Sequence, residues 1–373
     1  MKIRILYTIP NFETAGSQKP LFEIAKLLDK NKFIVEIACL HDKGDYFEEV
    51  KKSGIKIHLM DLYKEARPFF KLIIGVNKLR KEFKKINPDL IHSYHYAADY
   101  TEPLAAKMAG IKWIYTKKNM SWRGPSYRGW KLRSWLADGI ICQNSDMLKD
   151  FFPSWRKVKL IPIGVDTEEY SLQSKNINVR KKWGISDNDR IIITVANLVP
   201  VKGVEVLIEA FELLFNSHPS WKLMIVGDAT TEYGIKLINK YLKNRDLKDK
   251  IIFTGKQKNV RELLDLSEIY VQSTLNKGRM EGAPIAIQEA MTNGKVVIGS
   301  NIPGIRDQLE EFPSQLFKAG DYNELYKKLV FHMSNSIEDN IEFGRKFVNI
   351  VKNKYDISIE KEKIEAYYRK LLN

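Results

Sequence analysis

The chain has 373 residues, of which 44% are hydrophobic and 29% charged, and a formal net charge of +15. Such a length supports two domains with separate cores, and the composition is globular rather than disordered. No run approaches the ~20 apolar residues of a membrane span. The two cysteines build no disulfide framework, and the six histidines show no zinc spacing.

The positive excess suits nucleic acid, an anionic membrane surface or anionic substrates. Basic residues are spread along the chain and no nucleic-acid module is recognisable, which favours membrane or phosphorylated substrate. The first nine residues are too short and too interrupted by charge for a signal peptide, and two cysteines without a disulfide framework make a reducing cytoplasm, in reach of the inner membrane face, the expected location.

Ile3 to Ile9 reads as a buried strand, Thr14-Ala-Gly16-Ser17 as a turn, and Pro20 to Leu28 as an amphipathic helix. Phe33–Leu40 and Ile55–Met60 are further strands, and their alternation with helices predicts a parallel, doubly wound sheet. Arg67 to Ile86 is a basic helix with an apolar stripe, which fits either a membrane surface or a helix packed on the sheet with a solvated basic face. Pro88 to His92 is a strand. At its carboxyl end, where open α/β sheets bind ligands, His92 and His95 are candidates for acceptor contact or proton handling, or are structural. After the strand Ile111–Thr116, cations interleave with tryptophans from Lys117 and Lys118 to Trp135, which suits lipid headgroups, a phosphorylated acceptor or a buried aromatic helix.

Near residue 170 the pattern restarts. A polar stretch, Ser171 to Asp189, leads to the strand Arg190–Ala196, the turn Asn197 to Gly203 with Lys202 over its crevice, and a helix from Val204 to Phe215. Strand and turn repeat at Trp221 to Asp228, through Gly227, and at Ile251 to Gly255.

The strand Ile269–Ser273 precedes the most informative stretch, Glu281-Gly282-Ala283-Pro284-Ile285-Ala286-Ile287-Gln288-Glu289. Pro284 suits a first helical position, placing Glu281 on the entry loop and Glu289 about one and a half turns inside. Between them the first amides of the helix lack intrahelical partners and attract an anion. Two carboxylates beside an anion site are reconciled if the anion is the middle of a longer ligand whose hydroxyl-bearing ends meet them. A nucleotide sugar has that layout. Taken alone, acidic residues near a helix start are also ordinary caps.

Together these segments resemble the retaining GT-B glycosyltransferases of family 4, with their E-x7-E signature at Glu281 and Glu289. The similarity also runs through Gly16, Pro88-Asp-Leu-Ile-His92, Ala137-Asp-Gly-Ile with Asn144-Ser145, Ile161 to Asp166, Val195 to Gly203 and Ile225-Val-Gly-Asp228. The resemblance implies two Rossmann-like doubly wound parallel-sheet domains facing a central cleft. They would be an acceptor-side domain, 1–168, completed by a helix over 356–373, and a nucleotide-sugar domain, 169–355. Glu289 would bond the ribose hydroxyls, Glu281 the transferred sugar, Lys202 the pyrophosphate, and the Gly16 backbone would close over the donor.

The implied donor-side set is Gly16, Asn197, Lys202, Gly227, Gly255, Glu281, Gly282, Ala283, Pro284, Ile285 and Glu289. The acceptor side is His92, His95 and Lys118, and the catalytic candidates are Glu281, Lys202, His92 and His95. Neither a metal nor a cofactor is expected, since protein groups would neutralise the diphosphate. Asn197 stands where many members carry arginine, and Tyr94 where many carry a second histidine.

The expected activity is transfer from a UDP- or GDP-sugar to a glycan or lipid-linked acceptor, for surface polysaccharide or glycolipid, with peripheral contact to an anionic membrane and no nucleic acid. The alternatives are a nucleotide-sugar epimerase or phosphorylase of the same fold, or a non-enzymatic polyanion binder.

Overall fold

The computed structural model describes residues 2–13, 18–44, 46–62, 69–95, 98–121, 127–173, 176–243, 247–278 and 280–373. The chain divides into two compact units, the first Met1–Gly164 with Ile357–Asn373 and the second Val165–Asp356.

Among the described residues the first unit holds a seven-stranded sheet. Its strands are β1 (Ile3–Thr8), β2 (Phe33–Cys39), β3 (Lys56–Leu59), β4 (Leu90–Ser93), β5 (Lys112–Lys117), β6 (Gly139–Cys142) and β7 (Val158–Leu160), in the order β3-β2-β1-β4-β5-β6-β7. Every pairing is parallel, with Ile5 opposite Val35 on one side and Leu90 on the other. Side chains alternate between two apolar layers, as period two demands. Ile5 and Tyr7 pack with Ile364 and Tyr368 of the helix Ile357–Leu372. Leu6, Ile91 and Trp113 pack on the other face with Leu79 and Phe83 of the helix Phe69–Ile86. Helices on both faces explain why β4 and β6 are buried throughout and why β6 reads as an unbroken apolar run.

The second unit repeats the plan with six strands among the described residues. They are β8 (Arg190–Val195), β9 (Trp221–Val226), β10 (Ile251–Gly255), β11 (Ile269–Gln272), β12 (Val296–Ser300) and β13 (Leu316–Phe317), ordered β10-β9-β8-β11-β12-β13 and all parallel. Ile192, Leu223 and Val271 face one core; Ile193, Met224 and Tyr270 face the other. In each sheet the strand order reverses once, between β1 and β4 and between β8 and β11, and the carboxyl ends at such a reversal are where open α/β sheets bind ligands.

Three local expectations are corrected. The polar stretch 171–189 contains a short helix, Ile177–Lys182, capped by the Asn176 side chain and held by Arg180, whose guanidinium donates to the carbonyls of Ser186 and Asp189. The helix after Gly203 ends at Glu212. Pro284 is the N-cap of the helix Ile285–Thr292 rather than its first residue, because its ψ of 112° is extended although its φ of −71° would fit either state. Both cysteines are free and buried. Among the described residues no helix is long and apolar enough to cross a membrane.

Candidate active site

In the second unit the turns after β8, β9, β10 and β11 leave the same edge of the sheet. After β8 the chain makes a single 3-10 turn, Pro200–Lys202, and Gly203 ends it in the left-handed region at φ 59°. A Cβ there would strike the Ser273 carbonyl, so this position requires glycine for both its φ and its close approach. Leu275 N donates to Val201 O (2.8 Å) and Ser273 Oγ to Lys202 O (3.2 Å), tying this turn to the segment that leads from β11 into the acidic loop. The result is a direct contact: Lys202 Nζ lies 2.6 Å from Glu281 Oε2.

Glu281 is half exposed, its side chain at 48%, whereas Glu289 is 8% exposed. Both charges reach the buried Tyr270 phenol, whose pKa is pushed well up by burial, then by Glu289 and then by Glu281. Tyr270 donates to Gln272 Oε1 (2.5 Å). The Gly282 to Pro284 segment is backed by the chain after β12. A Cβ at Gly304, whose φ is 81°, would collide with the Gly282 carbonyl, and Gln308 Nε2 donates to Pro284 O (3.3 Å). The loop is thereby held against the first turn of the helix Ile285–Thr292, where Ile285 and Ala286 are half buried.

The other donor-side candidates line the neighbouring turns. Asn197 Oδ1 accepts from Asp228 N (3.3 Å) while Leu198 N donates to Asp228 O (2.7 Å), joining the turns after β8 and β9. A Cβ on Gly227 would meet the Ala196 carbonyl. Gly227 N donates to Gly255 O (3.1 Å), and Gly255 has φ 67°. The structure thus gathers Asn197, Lys202, Gly227, Gly255, Glu281, Gly282, Ala283, Pro284, Ile285 and Glu289 at one edge of the second sheet. Sequence reading passed over Tyr270, Ser273 and Gly304. No motif marks them, and only the contacts above reveal them.

The first-unit candidates fare differently. Gly16 lies outside the described residues, as do Trp122 and Arg123 of the aromatic-basic stretch. His92 is fully buried, its Nδ1 2.5 Å from Tyr368 Oη and its Nε2 2.8 Å from Thr116 Oγ1. Burial, with Lys118 adding to it, lowers its pKa to about 3. Both ring nitrogens of His92 are engaged within the unit, which matches the structural alternative: it ties the terminal helix to the sheet. His95 is also buried, and its pKa falls to about 4, chiefly by desolvation and then by Arg133. Lys118 places Nζ 4.6 Å from the Tyr94 ring centroid.

Beneath His95 lies a cluster that the sequence did not suggest. Glu102, fully buried, accepts from Thr8 Oγ1 and from Ser93 Oγ (2.8 Å), bridging the ends of β1 and β4. Arg133, equally buried, donates to Asp99 O (2.6 Å), Ser93 Oγ (3.0 Å) and His95 O (3.1 Å) and lies over the rings of Trp113 and Tyr115.

Comparison with known proteins gives these sites a context. Residues 15–169 match the family model "Glycosyltransferase Family 4" and residues 175–347 match "Glycosyl transferases group 1". The chain is 24% identical over 338 residues to the UDP-Gal:alpha-D-GlcNAc-diphosphoundecaprenol alpha-1,3-galactosyltransferase of Escherichia coli, covering 85% of this chain and 84% of that protein. A glycosyltransferase structure from Rickettsia africae superposes with a TM-score of 0.85 at 20% identity, covering 100% of this chain and 99% of that one. HepE of Anabaena, in complex with UDP and glucose, superposes with a TM-score of 0.82 at 18% identity over 98% and 99% of the two chains. With a Family 4 model on its first part, a group 1 model on its second and GT-B enzymes as its structural neighbours, the chain is a glycosyltransferase.

Proposed function

We infer that the protein transfers a hexose from a nucleoside diphosphate sugar, with retention at the anomeric carbon, to a lipid-linked or glycan acceptor. The observation that carries this reading is the 2.6 Å contact of Lys202 with Glu281 beside a helix start, with Glu289 buried further along the same helix. Lys202 and the first helix amides offer positive potential to a diphosphate, and each carboxylate accepts from sugar hydroxyls. Donor entry trades the Lys202–Glu281 contact for one with phosphate, freeing Glu281 for the hexose. Stabilising the departing diphosphate by fixed positive groups is the main catalytic lever, and it needs no resident metal. UDP is favoured over GDP as the leaving group because the similar HepE was crystallised with UDP, and a lipid-linked acceptor is favoured by the E. coli relative's substrate. On the first unit, His95 and Lys118 are the acceptor-side candidates.

Calorimetry with UDP and GDP tests the donor class, and a chelator control tests metal independence. Nucleotide release with water as the only acceptor would point to a hydrolysing epimerase instead, and formation of a sugar 1-phosphate from glycan and inorganic phosphate to a phosphorylase. Lys202→Ala is expected to lower kcat about 10–100-fold, the value of one charge-assisted bond to phosphate. A near wild-type rate would place the diphosphate clamp elsewhere.

Peripheral membrane contact belongs to the same reading. Phe70, Ile73 and Ile74 on the helix Phe69–Ile86, Met108 on Thr101–Ala109, and Leu132 and Trp135 on Tyr127–Leu136 are all exposed, among many lysines. Apolar side chains set among cations suit an anionic bilayer surface. Flotation with anionic but not neutral vesicles is the expected result.

A further inference from the structure

A cavity of about 310 Å³ lies in the second unit, at the opposite end of its sheet from the turns described above. Its floor is formed where the chain enters β11 and β12, by Ser267, Glu268 and Lys295. One wall is a stripe of the helix Ile337–Lys354, with Ile337, Ile341, Arg345, Val348 and Lys352 recurring every three or four residues. Leu172 faces them across the opening. The helix is fixed in place because Gly344 sits directly against the Gly294 carbonyl, where any Cβ would collide.

The charges here do not balance within the protein. Glu268 is taken up by Arg190, through Nη2 at 2.6 Å and Nε at 3.0 Å. Asp265 accepts from Asn293 Nδ2 (2.8 Å) and Gln173 N (3.2 Å), while Lys295 Nζ donates to Ser267 O (2.9 Å). Arg345 and Lys352 are exposed, and among the described residues neither has an ion pair or hydrogen bond. Thr292, also lining the cavity, is buried, and its hydroxyl has no partner among the described residues. Three aliphatic side chains, Leu172, Ile337 and Ile341, stand exposed around the opening.

We propose that this cavity binds an anionic amphiphile, its alkyl chain against Leu172, Ile337, Ile341 and Val348 and its head on Arg345 and Lys352. A hydrophobic chain covers the exposed aliphatics, gaining free energy in proportion to the apolar area removed from water. The two cations select a carboxylate or phosphate head over an uncharged one. The volume is at the lower end of the ~300–1,000 Å³ range of ligand pockets, which suits a short chain or the end of a longer one. The absence of aromatic side chains among its lining residues argues against a nucleobase. The proposal is independent of the transfer reaction, whose candidate residues sit at the other sheet edge.

The experiment is calorimetric titration of the full chain with dodecyl phosphate and decanoate below their micellar concentrations, and with dodecyl maltoside as the uncharged control. Saturable 1:1 binding of the anions and not of the maltoside is expected. R345E/K352E, both exposed positions, should weaken it at least about tenfold while leaving UDP affinity unchanged, since two ion pairs become two repulsions. Ile341→Asp should weaken it as well. Vesicles of phosphatidylglycerol distinguish the source: competition by vesicles identifies a membrane lipid, and its absence identifies a free amphiphile. No binding to the unaltered protein, equal binding of the maltoside, or a double variant that binds as well as the parent would each overturn the proposal.

Discussion

The two sheets share one topology and use its reversal point in opposite ways. Between β1 and β4 the polar groups are sealed inside. Glu102 spans Thr8 and Ser93, Arg133 braces the carbonyls of Asp99 and His95, and His92 is locked by Tyr368 and Thr116. Between β8 and β11 the groups are left in reach: a half-exposed Glu281 on Lys202, glycine turns, and a helix start. A buried, satisfied network rigidifies its surroundings, whereas a contact held by one exposed ion pair is weak and exchangeable. At its reversal point the first unit thus uses its charges to hold the fold, and the second leaves Glu281 half exposed on Lys202.

Removing Arg133 breaks the comparison most severely. Arg133→Met leaves Glu102 buried opposite no cation and orphans two loop carbonyls. A loss of about 3–5 kcal/mol is expected in urea denaturation, the usual cost of breaking a buried pair from one side. A loss below 1 kcal/mol would show that the cluster is not the brace described.

Glu289→Ala in the second unit should instead leave stability nearly intact and weaken UDP binding by about 1.5–3 kcal/mol, the worth of hydrogen bonds to a charged group. Unchanged affinity in calorimetry would reduce Glu289 to a helix residue.

Next in size is the pH dependence of stability that buried groups of the first unit impose. Folded His92 and His95, held at about 3 and about 4, stay neutral where an unfolded histidine protonates near 6.5, so stability falls as pH drops below 6.5. Glu360 accepts from Gly164 N (2.6 Å) and is pushed by burial to about 8, so it keeps its proton where an unfolded glutamate loses it near 4.5; its contribution is lost as pH rises from 4.5 to 8. Each group acts at about 1.4 kcal/mol per pH unit. Below 6.5 the histidines and Glu360 act in opposite directions, and between 6.5 and 8 Glu360 lowers stability as pH rises. Glu360→Gln should flatten the alkaline limb in urea melts between pH 6.5 and 8; an unaltered limb would assign it to other groups.

The smallest effect on folding belongs to Trp135, 66% exposed. Trp135→Ser should shift stability by no more than about 0.5 kcal/mol while reducing vesicle flotation. Full flotation would remove that residue from the membrane face.

Much of the fold was legible because burial on both faces writes itself as apolar runs. Arg190–Val195 and Ile269–Gln272 are strands as their composition predicts, and the terminal helix runs Ile357–Leu372. The approach of Lys202 to Glu281 was less so. Each residue was singled out, but their contact depends on Gly203 against Ser273, a fit between segments 70 residues apart. The histidines show the limit most clearly. A histidine at a strand's carboxyl end has the same local sequence whether it faces solvent or a tyrosine from the far end of the chain.

Period-two and helical patterning and turn glycines therefore determined the two parallel sheets, because backbone geometry and solvent exclusion act on neighbours in sequence; the enzyme class was legible only through the resemblance of several segments to a known family. Which charges are sealed and which stay available was decided only by tertiary structure. Desolvation and hydrogen-bond partners come from residues such as Tyr368 and Arg133, whose distance along the chain carries no signal until the chain is folded.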